Sequence, residues 1–217
     1  DTSGVLQFQT NGTTPAMTID ASQNVGIGTS SPGQPFVLSK NQNASTWVQV
    51  SNTTSGTGAA SGLLMTSDSS IQATIELDST GYTNFGNALR IRQLGAYPIL
   101  FSTNDTERMR LDSSGNLGLG VTPSAWYSTV KAFQFGAGGL LDGRTNDAAQ
   151  ATIGAGYYLD SGATYRYIST TGASRFVQAS GAHLWFTAPS GTAGNAITFT
   201  QAMTLDASGN LLVGTTS

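Results

Sequence analysis

The chain has 217 residues, of which 38% are hydrophobic and only 10% are charged, and its net charge is −3. An ordinary soluble domain carries about 25% charged residues, and a solvated helix places many of them on its outer face. Because the chain contains only two Glu and two Lys residues, long exposed helices are disfavoured and strands and turns are favoured. The absence of cysteine excludes disulfides and zinc–thiolate sites.

The distribution of charged and apolar residues limits the classes of binding partner that are expected. The nine cationic residues are scattered rather than clustered, so nucleic acid is not expected as a partner. No apolar run approaches the roughly 18 residues of a membrane span, so membrane insertion is not expected either. A polar, cysteine-free β chain buries little apolar surface alone, and association with copies of itself is the expected source of stability.

A twelve-residue motif occurs three times along the chain. Its copies are residues 17–28 (MTIDASQNVGIG), 109–120 (MRLDSSGNLGLG) and 203–214 (MTLDASGNLLVG). In each copy Met and Ile or Leu alternate with polar residues, which predicts a strand with one buried face. The small polar residues that follow predict a turn, and a second short alternating strand completes a hairpin.

The turns of the three hairpins share an Asp at the end of the first strand and an Asn before the second strand. The Asp side chains are expected to cap their turns through hydrogen bonds to the backbone, and Asn and Gly are available for positive φ. These structural turn residues are Asp20, Asn24, Asp112, Asn116, Asp206 and Asn210.

A further strand is expected before each hairpin, at residues 6–8, 99–101 and 197–199, which makes the unit a three-stranded meander. Gly26 and Gly118 lie in the middle of the second hairpin strands. A glycine at such a position predicts the close approach of another backbone, for which a second copy of the same strand is a candidate.

The repeats divide the chain into β modules of about 93 residues. Pro32 and Pro123 directly follow the glycine-rich strands and mark the boundaries. Residues 1–32 are predicted to be the C-terminal part of a first module, residues 33–123 a second module and residues 124–217 a third. The predicted fold is all-β, built from tandem hairpin and meander repeats.

The motif Met-x-Ile/Leu-Asp-x-Ser-Gly-Asn-x-x-x-Gly and the GIGTSSP segment at residues 26–32 resemble repeats of bacteriophage tail fibres. These repeats are of the type found upstream of a peptidase S74 intramolecular chaperone domain. The resemblance implies an elongated, intertwined homotrimeric fibre in the virion, outside the cell, in contact with other phage tail proteins. It also implies release of the chaperone by cleavage after a Ser. Ser217 is therefore either the mature C-terminus or an arbitrary end of the sequence.

The function implied by the resemblance is that of a structural tail-fibre segment that contributes to host-surface recognition and adsorption. The expected receptor is a host surface glycan or an outer-membrane receptor, and aromatic side chains are the expected contact groups. The candidate receptor-contact residues are Tyr82, Phe85, Tyr97, Trp126, Tyr127, Tyr158, Tyr165 and Trp185. Two alternatives stay open, namely a fragment of a capsule polysaccharide depolymerase tailspike and a bacterial trimeric surface adhesin.

The residues that could support catalysis are few. His183 is the single histidine and is interpreted as a strand residue beside Leu184. Asp142 and Asp147, which flank Arg144, are the best available carboxylate pair for glycoside hydrolysis. No catalytic residue, metal ligand or cofactor is predicted, and the chain is not expected to be an enzyme.

Overall fold

The computed structural model describes residues 4–9, 15–40, 46, 48–67, 71–81, 83, 86–145 and 150–214. These residues form nineteen β-strands and no helix. The all-β prediction is thereby confirmed. The chain divides into two compact units, residues 1–54 and 55–217.

The first unit contains a four-stranded sheet. Its strands are β1 (Leu6–Gln9), β2 (Pro15–Ile19), β3 (Val25–Ile27) and β4 (Phe36–Leu38), in that spatial order. The pairs β1–β2 and β2–β3 are antiparallel, as expected for the first meander, whereas β4 pairs with β3 in parallel.

The second unit begins with a three-stranded antiparallel sheet, formed by β5 (Ala60–Ser67), β6 (Ile71–Asp78) and β7 (Leu89–Gln93). The remaining strands of this unit are β8 (Ile99–Thr103), β9 (Thr106–Leu111), β10 (Leu117–Leu119), β11 (Val130–Phe135), β12 (Gly139–Arg144), β13 (Gln150–Ala155), β14 (Tyr157–Leu159), β15 (Tyr165–Tyr167), β16 (Ala173–Ala179), β17 (Ala182–Ala188), β18 (Thr200–Leu205) and β19 (Leu211–Val213).

Ten of these strands form one sheet, in the order β19-β18-β17-β16-β13-β12-β11-β10-β9-β8. All neighbours in it are antiparallel except β10 and β11, which are parallel. Strands β14 and β15 form a separate hairpin, which is inserted in the sequence between the neighbouring strands β13 and β16. This hairpin lies over one face of the ten-stranded sheet, where its side chains join those of β11 and β12 in the core.

The three predicted hairpins are present as β2–β3, β9–β10 and β18–β19. They share one register, in which the equivalent pairs are Met17 with Ile27, Met109 with Leu119, and Met203 with Val213. The meander prediction was wrong for the third copy, because residues 197–199 form no strand and β17 precedes the hairpin instead. Those residues lie too close to Met203 for a turn, and Ile197 is buried, with its N–H donating to the Tyr165 carbonyl at 2.8 Å.

Each predicted module boundary, at Pro32 and at Pro123, separates two strands that pair with each other. Strand β4 lies beyond Pro32 and pairs with β3, and β11 lies beyond Pro123 and pairs with β10. Each parallel pair therefore joins the end of one repeat to the beginning of the next.

The glycines of β3 and β10 do pack closely against another backbone, but the neighbour is the chain's own following loop. A Cβ on Gly26 would lie 2.9 Å from the carbonyl oxygen of Thr29, and one on Gly118 would lie 2.9 Å from Cδ of Pro123. The prediction that a second copy of the same strand packs at these glycines was wrong, because the following loop already covers them.

The apolar core lies in the last part of the chain. Its buried side chains are Trp126, Val130, Ala132, Leu140, Tyr157, Leu159, Tyr167, Ala173, Ala188 and Ile197. Among the described residues before Trp126, Pro32 has the one buried apolar side chain. The first half of the chain therefore forms sheets without a core of its own.

Candidate functional site

Each hairpin turn is held by the same three side-chain hydrogen bonds. In the first copy, Oδ1 of Asp20 accepts from the backbone N–H groups of Ser22 and Asn24, both at 2.9 Å, and Oδ2 accepts from Nδ2 of Asn24 at 3.0 Å. Asp112 and Asp206 make the equivalent bonds at 2.8 to 3.0 Å. The motif therefore specifies a rigid turn at the end of the hairpin.

Hydrogen bonds to the carboxylates favour their charged form. The backbone N–H of Asn24 is the main cause that lowers the pKa of Asp20, and the side-chain amide of Asn210 is the main cause that lowers the pKa of Asp206. Asp160 caps a related turn through the backbone N–H groups of Gly162 and Thr164. Its pKa is lowered chiefly by the hydrogen bond from Arg166.

The candidate receptor-contact residues fall into distinct environments. Tyr82 and Phe85 lie outside the described residues. Trp126 is only 7% exposed, because its ring packs edge-on against Tyr157 and Tyr158. Three further candidates, Tyr127, Tyr158 and Tyr165, are half-buried and pack against the core. These four aromatic rings, which the sequence analysis assigned to receptor contact, thus pack in the core or against it.

Tyr97 is the described candidate with an open ring, since 50% of its surface is exposed. It lies in the loop between β7 and β8, where its ring packs over Gly95, and a Cβ on that glycine would lie 2.8 Å from Cδ2 of Tyr97. The ring lines a pocket of about 260 Å³ that also includes Arg92 and Asp112. An aromatic ring beside groups of both charges can stack on a sugar ring and form hydrogen bonds with its hydroxyl groups.

The predicted carboxylate pair is not assembled among the described residues, because Asp147 lies outside them. Asp142 faces the core, where Oδ2 accepts from the hydroxyl of Tyr157 at 3.2 Å. Burial raises the pKa of Asp142. The nearby Arg175 guanidinium lies 4.3 Å from the ring centre of Tyr165 and 4.4 Å from that of Phe186. This cluster fastens the β14–β15 hairpin to the sheet.

The opposite face of the ten-stranded sheet carries a continuous apolar row. Residues paired directly across a sheet point to the same face, and the registers connect one large apolar residue from every strand. In order from β8 to β19, the apolar row consists of Ile99, Leu111, Leu117, Phe133, Leu141, Ile153, Phe176, Trp185, Met203 and Val213.

No residue of the apolar row is buried. Leu141 is 42% exposed, Ile153 57% and Val213 69%. Trp185 belongs to this row, and its ring lies 4.9 Å from that of Phe176. The candidate receptor residue Trp185 is therefore part of an apolar face rather than of a polar loop.

The two smaller sheets also expose an apolar face. In the first unit, the paired residues Leu6, Ile19, Val25 and Phe36 share one side of the sheet, and Leu6 and Phe36 are 52% and 60% exposed. In the three-stranded sheet, Leu63, Ile75 and Ile91 pair across the strands and are each more than 40% exposed.

The other side of the three-stranded sheet is charged. There Arg90 forms ion pairs with Glu76 at 3.0 Å and with Asp78 at 2.5 Å. Among the described residues, the apolar face is thus the more exposed face of the four-, three- and ten-stranded sheets, although it is the one that burial would stabilise. The sequence analysis predicted that the alternating apolar residues of the hairpins, such as Leu111 and Met203, form a buried face, but they are exposed or half-buried. It did not predict that they align across ten strands.

Within the part of the chain that the structure describes, no group of His, Asp and Glu side chains is placed to hold a metal ion. No helix long and apolar enough to cross a membrane occurs in the described ranges. Neither the comparison with protein-family models nor the comparison with curated proteins found a match to this chain.

Proposed function

We propose that this chain is a structural segment of a phage tail fibre that assembles as an elongated, intertwined homotrimer and contributes to recognition of the host surface and adsorption. The observation that carries the proposal is the apolar face that stays uncovered in each of the three sheets. A monomeric soluble protein rarely exposes a continuous apolar patch of this extent. Such a face is the expected inner surface of an assembly.

Burial of the apolar row offsets much of the free-energy cost of association. Full burial of a large apolar side chain contributes about 1.5–3 kcal/mol. In the apolar row only Ile153 and Val213 are more than half exposed, so covering the row contributes roughly 5–10 kcal/mol per chain. That is comparable with the estimated cost of association, about 4–15 kcal/mol. Burial of the apolar faces of the two smaller sheets adds to the free energy that favours association.

The number of copies follows from the same face and from the repeat motif. Most soluble oligomers of identical chains close around a symmetry axis. Three copies of one sheet, one from each chain, enclose a common interior when their apolar faces turn toward a threefold axis. The repeat motif supports the trimer, because its resemblance to tail-fibre repeats implies three chains.

Host contact is assigned to the Tyr97 loop, whose pocket adjoins the β8 end of the apolar row at Ile99 and Leu111. Tyr97, with Arg92 and Asp112 beside it, has the open ring and the hydrogen-bonding groups that a surface glycan requires. Three copies in one fibre, and several fibres in one virion, multiply a weak contact through effective concentration. The partners are then the chain itself, other phage tail proteins and a host glycan or outer-membrane receptor.

The assembly is tested by analytical ultracentrifugation of the purified chain and by electrophoresis in SDS without heating. We expect a trimeric, elongated species that resists SDS at room temperature. A monodisperse compact monomer at micromolar concentration would contradict the proposal.

Host contact is tested by binding of the chain to an array of bacterial surface polysaccharides. We expect Tyr97→Ala to lower binding without changing the oligomeric state. Leu94→Ala is the matched control, because Leu94 is an exposed neighbour outside the lining of the Tyr97 pocket. Equal loss of binding in both variants would remove Tyr97 from the contact.

A further inference from the structure

We infer that a groove beside the apolar row receives apolar-row side chains from a second copy of this chain. The inference rests on the proposed homotrimer and assigns the surface through which its chains meet. The groove has a volume of about 580 Å³ and runs across β10, β11, β12, β13 and β16. Its wall is formed by the apolar row, including Phe133, Leu141, Ile153 and Phe176.

The groove exists because small residues follow the large ones across the sheet. One row over from Leu141 and Ile153, the paired positions are Gly143 and Ala151. Their lack of bulk leaves a trough between the apolar row and the longer side chains of Lys131 and Gln178, which occupy the neighbouring strands of that row. A ridge of large side chains thus lies directly beside a depression on the same face.

A second depression lies on the other side of the ridge. It is lined in part by Ala155, Ser174 and Thr187 and has a volume of about 350 Å³. A ridge flanked by troughs is complementary to another copy of itself when the two faces are offset by one row. A cyclic assembly of identical chains can repeat that offset at every interface.

The charge on this face also permits contact between identical copies. The apolar row and the row that contains Gly143 and Ala151 hold no carboxylate, and their only cation is Lys131. Its ammonium group donates to the carbonyl of Ser114 at 2.6 Å. Identical faces therefore meet without a field of like charges between them.

The projected area of the face is about three quarters of the area that a standard interface buries on each partner. Ten strands about 4.8 Å apart span about 43 Å, and three rows of side chains span about 14 Å along the strands, which gives about 600 Å² in projection. A standard protein interface buries about 800 Å² on each partner. A polysaccharide is a poor occupant, because the aliphatic ridge offers few hydrogen-bonding groups to its hydroxyls.

The first test fills the groove. Ala151 is exposed, so Ala151→Trp is compatible with the fold of each chain but occupies the space meant for a neighbouring copy. The matched control is Ala125→Trp, because Ala125 is an exposed residue in the loop that follows β10. By ultracentrifugation we expect the groove variant to lose the trimer and the control to keep it, with unchanged far-ultraviolet circular dichroism in both.

The second test leaves the groove unfilled and measures whether a neighbouring chain shields a thiol placed in it. The chain has no cysteine, so Ala151→Cys and Ala125→Cys each introduce a single thiol. In the assembled protein we expect a maleimide to label Cys at position 151 at least about tenfold more slowly than Cys at position 125, because access controls thiol reactivity. In urea the two rates should become equal.

The outcomes separate the two proposals. A trimeric wild type whose Ala151→Trp variant stays trimeric, or whose two thiols react equally fast, overturns the groove assignment and leaves the tail-fibre proposal standing. A monomeric wild type overturns both. A trimer that is lost only in the groove variant, together with slow labelling at position 151, supports the assignment.

Discussion

The Oδ1 atom of Asn116 accepts a hydrogen bond from the backbone N–H of Ala132 at 3.2 Å. The Nδ2 atom of the same side chain donates to Asp112 at 3.0 Å, so one amide joins the turn of the second hairpin to β11. Asn116 is 2% exposed and Ala132 is 4% exposed. This amide therefore couples the repeat motif to the strand that begins the next repeat.

Replacement of Asn116 by Ala should lower the free energy of unfolding by about 1–3 kcal/mol, because it leaves the buried N–H of Ala132 without an acceptor. Urea unfolding at a fixed protein concentration measures the change. The matched control is Asn210→Ala, since Asn210 holds the equivalent position in the third hairpin but is exposed. Its loss should cost no more than about 1 kcal/mol, and equal costs at the two positions would contradict the coupling.

The three copies of the motif differ at the middle of the second strand, where the third copy has Leu212 in place of Gly26 and Gly118. A side chain at Gly118 would collide with the carbonyl oxygen of Val121 and with Pro123. Gly118→Leu should therefore destabilise the fold by about 1–3 kcal/mol through overpacking. Thermal unfolding followed by circular dichroism measures the effect.

The reverse exchange at the third copy provides the control. Leu212 is half-buried in β19. Leu212→Gly should cost mainly the entropy of a glycine in a strand, about 0.5–1 kcal/mol, together with the lost packing of one partly exposed side chain. A larger loss for Leu212→Gly than for Gly118→Leu would show that the following loop does not select glycine.

The hairpins were predictable from the sequence because their information is local. The alternation from Met17 to Ile19 and the Asp20 to Asn24 turn lie within eight residues, and the same signal occurs three times. The first strand of the third meander was not predictable in this way. It lies in β17, separated from β18 by the loop that buries Ile197, and only tertiary packing selects it over residues 197–199.

The candidate site shows the same division. Aromatic residues could be named from the sequence, but whether Trp126 points into a core or Tyr97 into solvent depends on the β14–β15 hairpin and on the β7–β8 loop. The apolar row depends on the registers of ten strands, six of which lie outside the repeated motif. No single-strand pattern reveals that these side chains align.

Asp142 gives a prediction of pH dependence. Burial raises its folded-state pKa above its ordinary value of 3.8, so the folded state binds this proton more tightly than the unfolded state. Its favourable contribution is fully present below the ordinary pKa and is lost as the pH rises through the folded pKa. The Asn side chain in Asp142→Asn does not titrate. The free energy of unfolding of this variant, minus that of the wild type, should therefore increase as the pH rises through the folded-state pKa of Asp142.

The comparison of Asp142→Asn with the wild type isolates one group. Asp20, Glu107, Asp160 and Asp206, whose pKa values are lowered, make the opposite contribution, but they are present in both proteins and cancel in the difference. Urea unfolding between pH 3 and pH 8 provides the measurement. A difference that stays constant with pH, or that falls as the pH rises, would show that burial does not dominate at Asp142.

The last prediction concerns Arg175, whose guanidinium carbon lies within 4.8 Å of the ring centres of Tyr165, Phe186 and Phe199. Contacts of a cation with aromatic faces contribute about 0.5–2 kcal/mol each. Arg175→Met keeps the apolar stem but removes the charge, so it should lower the free energy of unfolding by about 1–3 kcal/mol. It should also raise the pKa of Asp142 further, because the field of Arg175 favours the carboxylate.

Arg144→Met separates these two effects. Arg144 also acts on the Asp142 carboxylate through its charge, so its loss should shift the titration in the same direction. Because stacking on the three rings belongs to Arg175, the two variants should differ in stability at a pH where Asp142 is protonated. If they are equally stable at pH 3, the aromatic rings pack around Arg175 without binding its charge, and the attachment of the β14–β15 hairpin then depends on apolar burial alone.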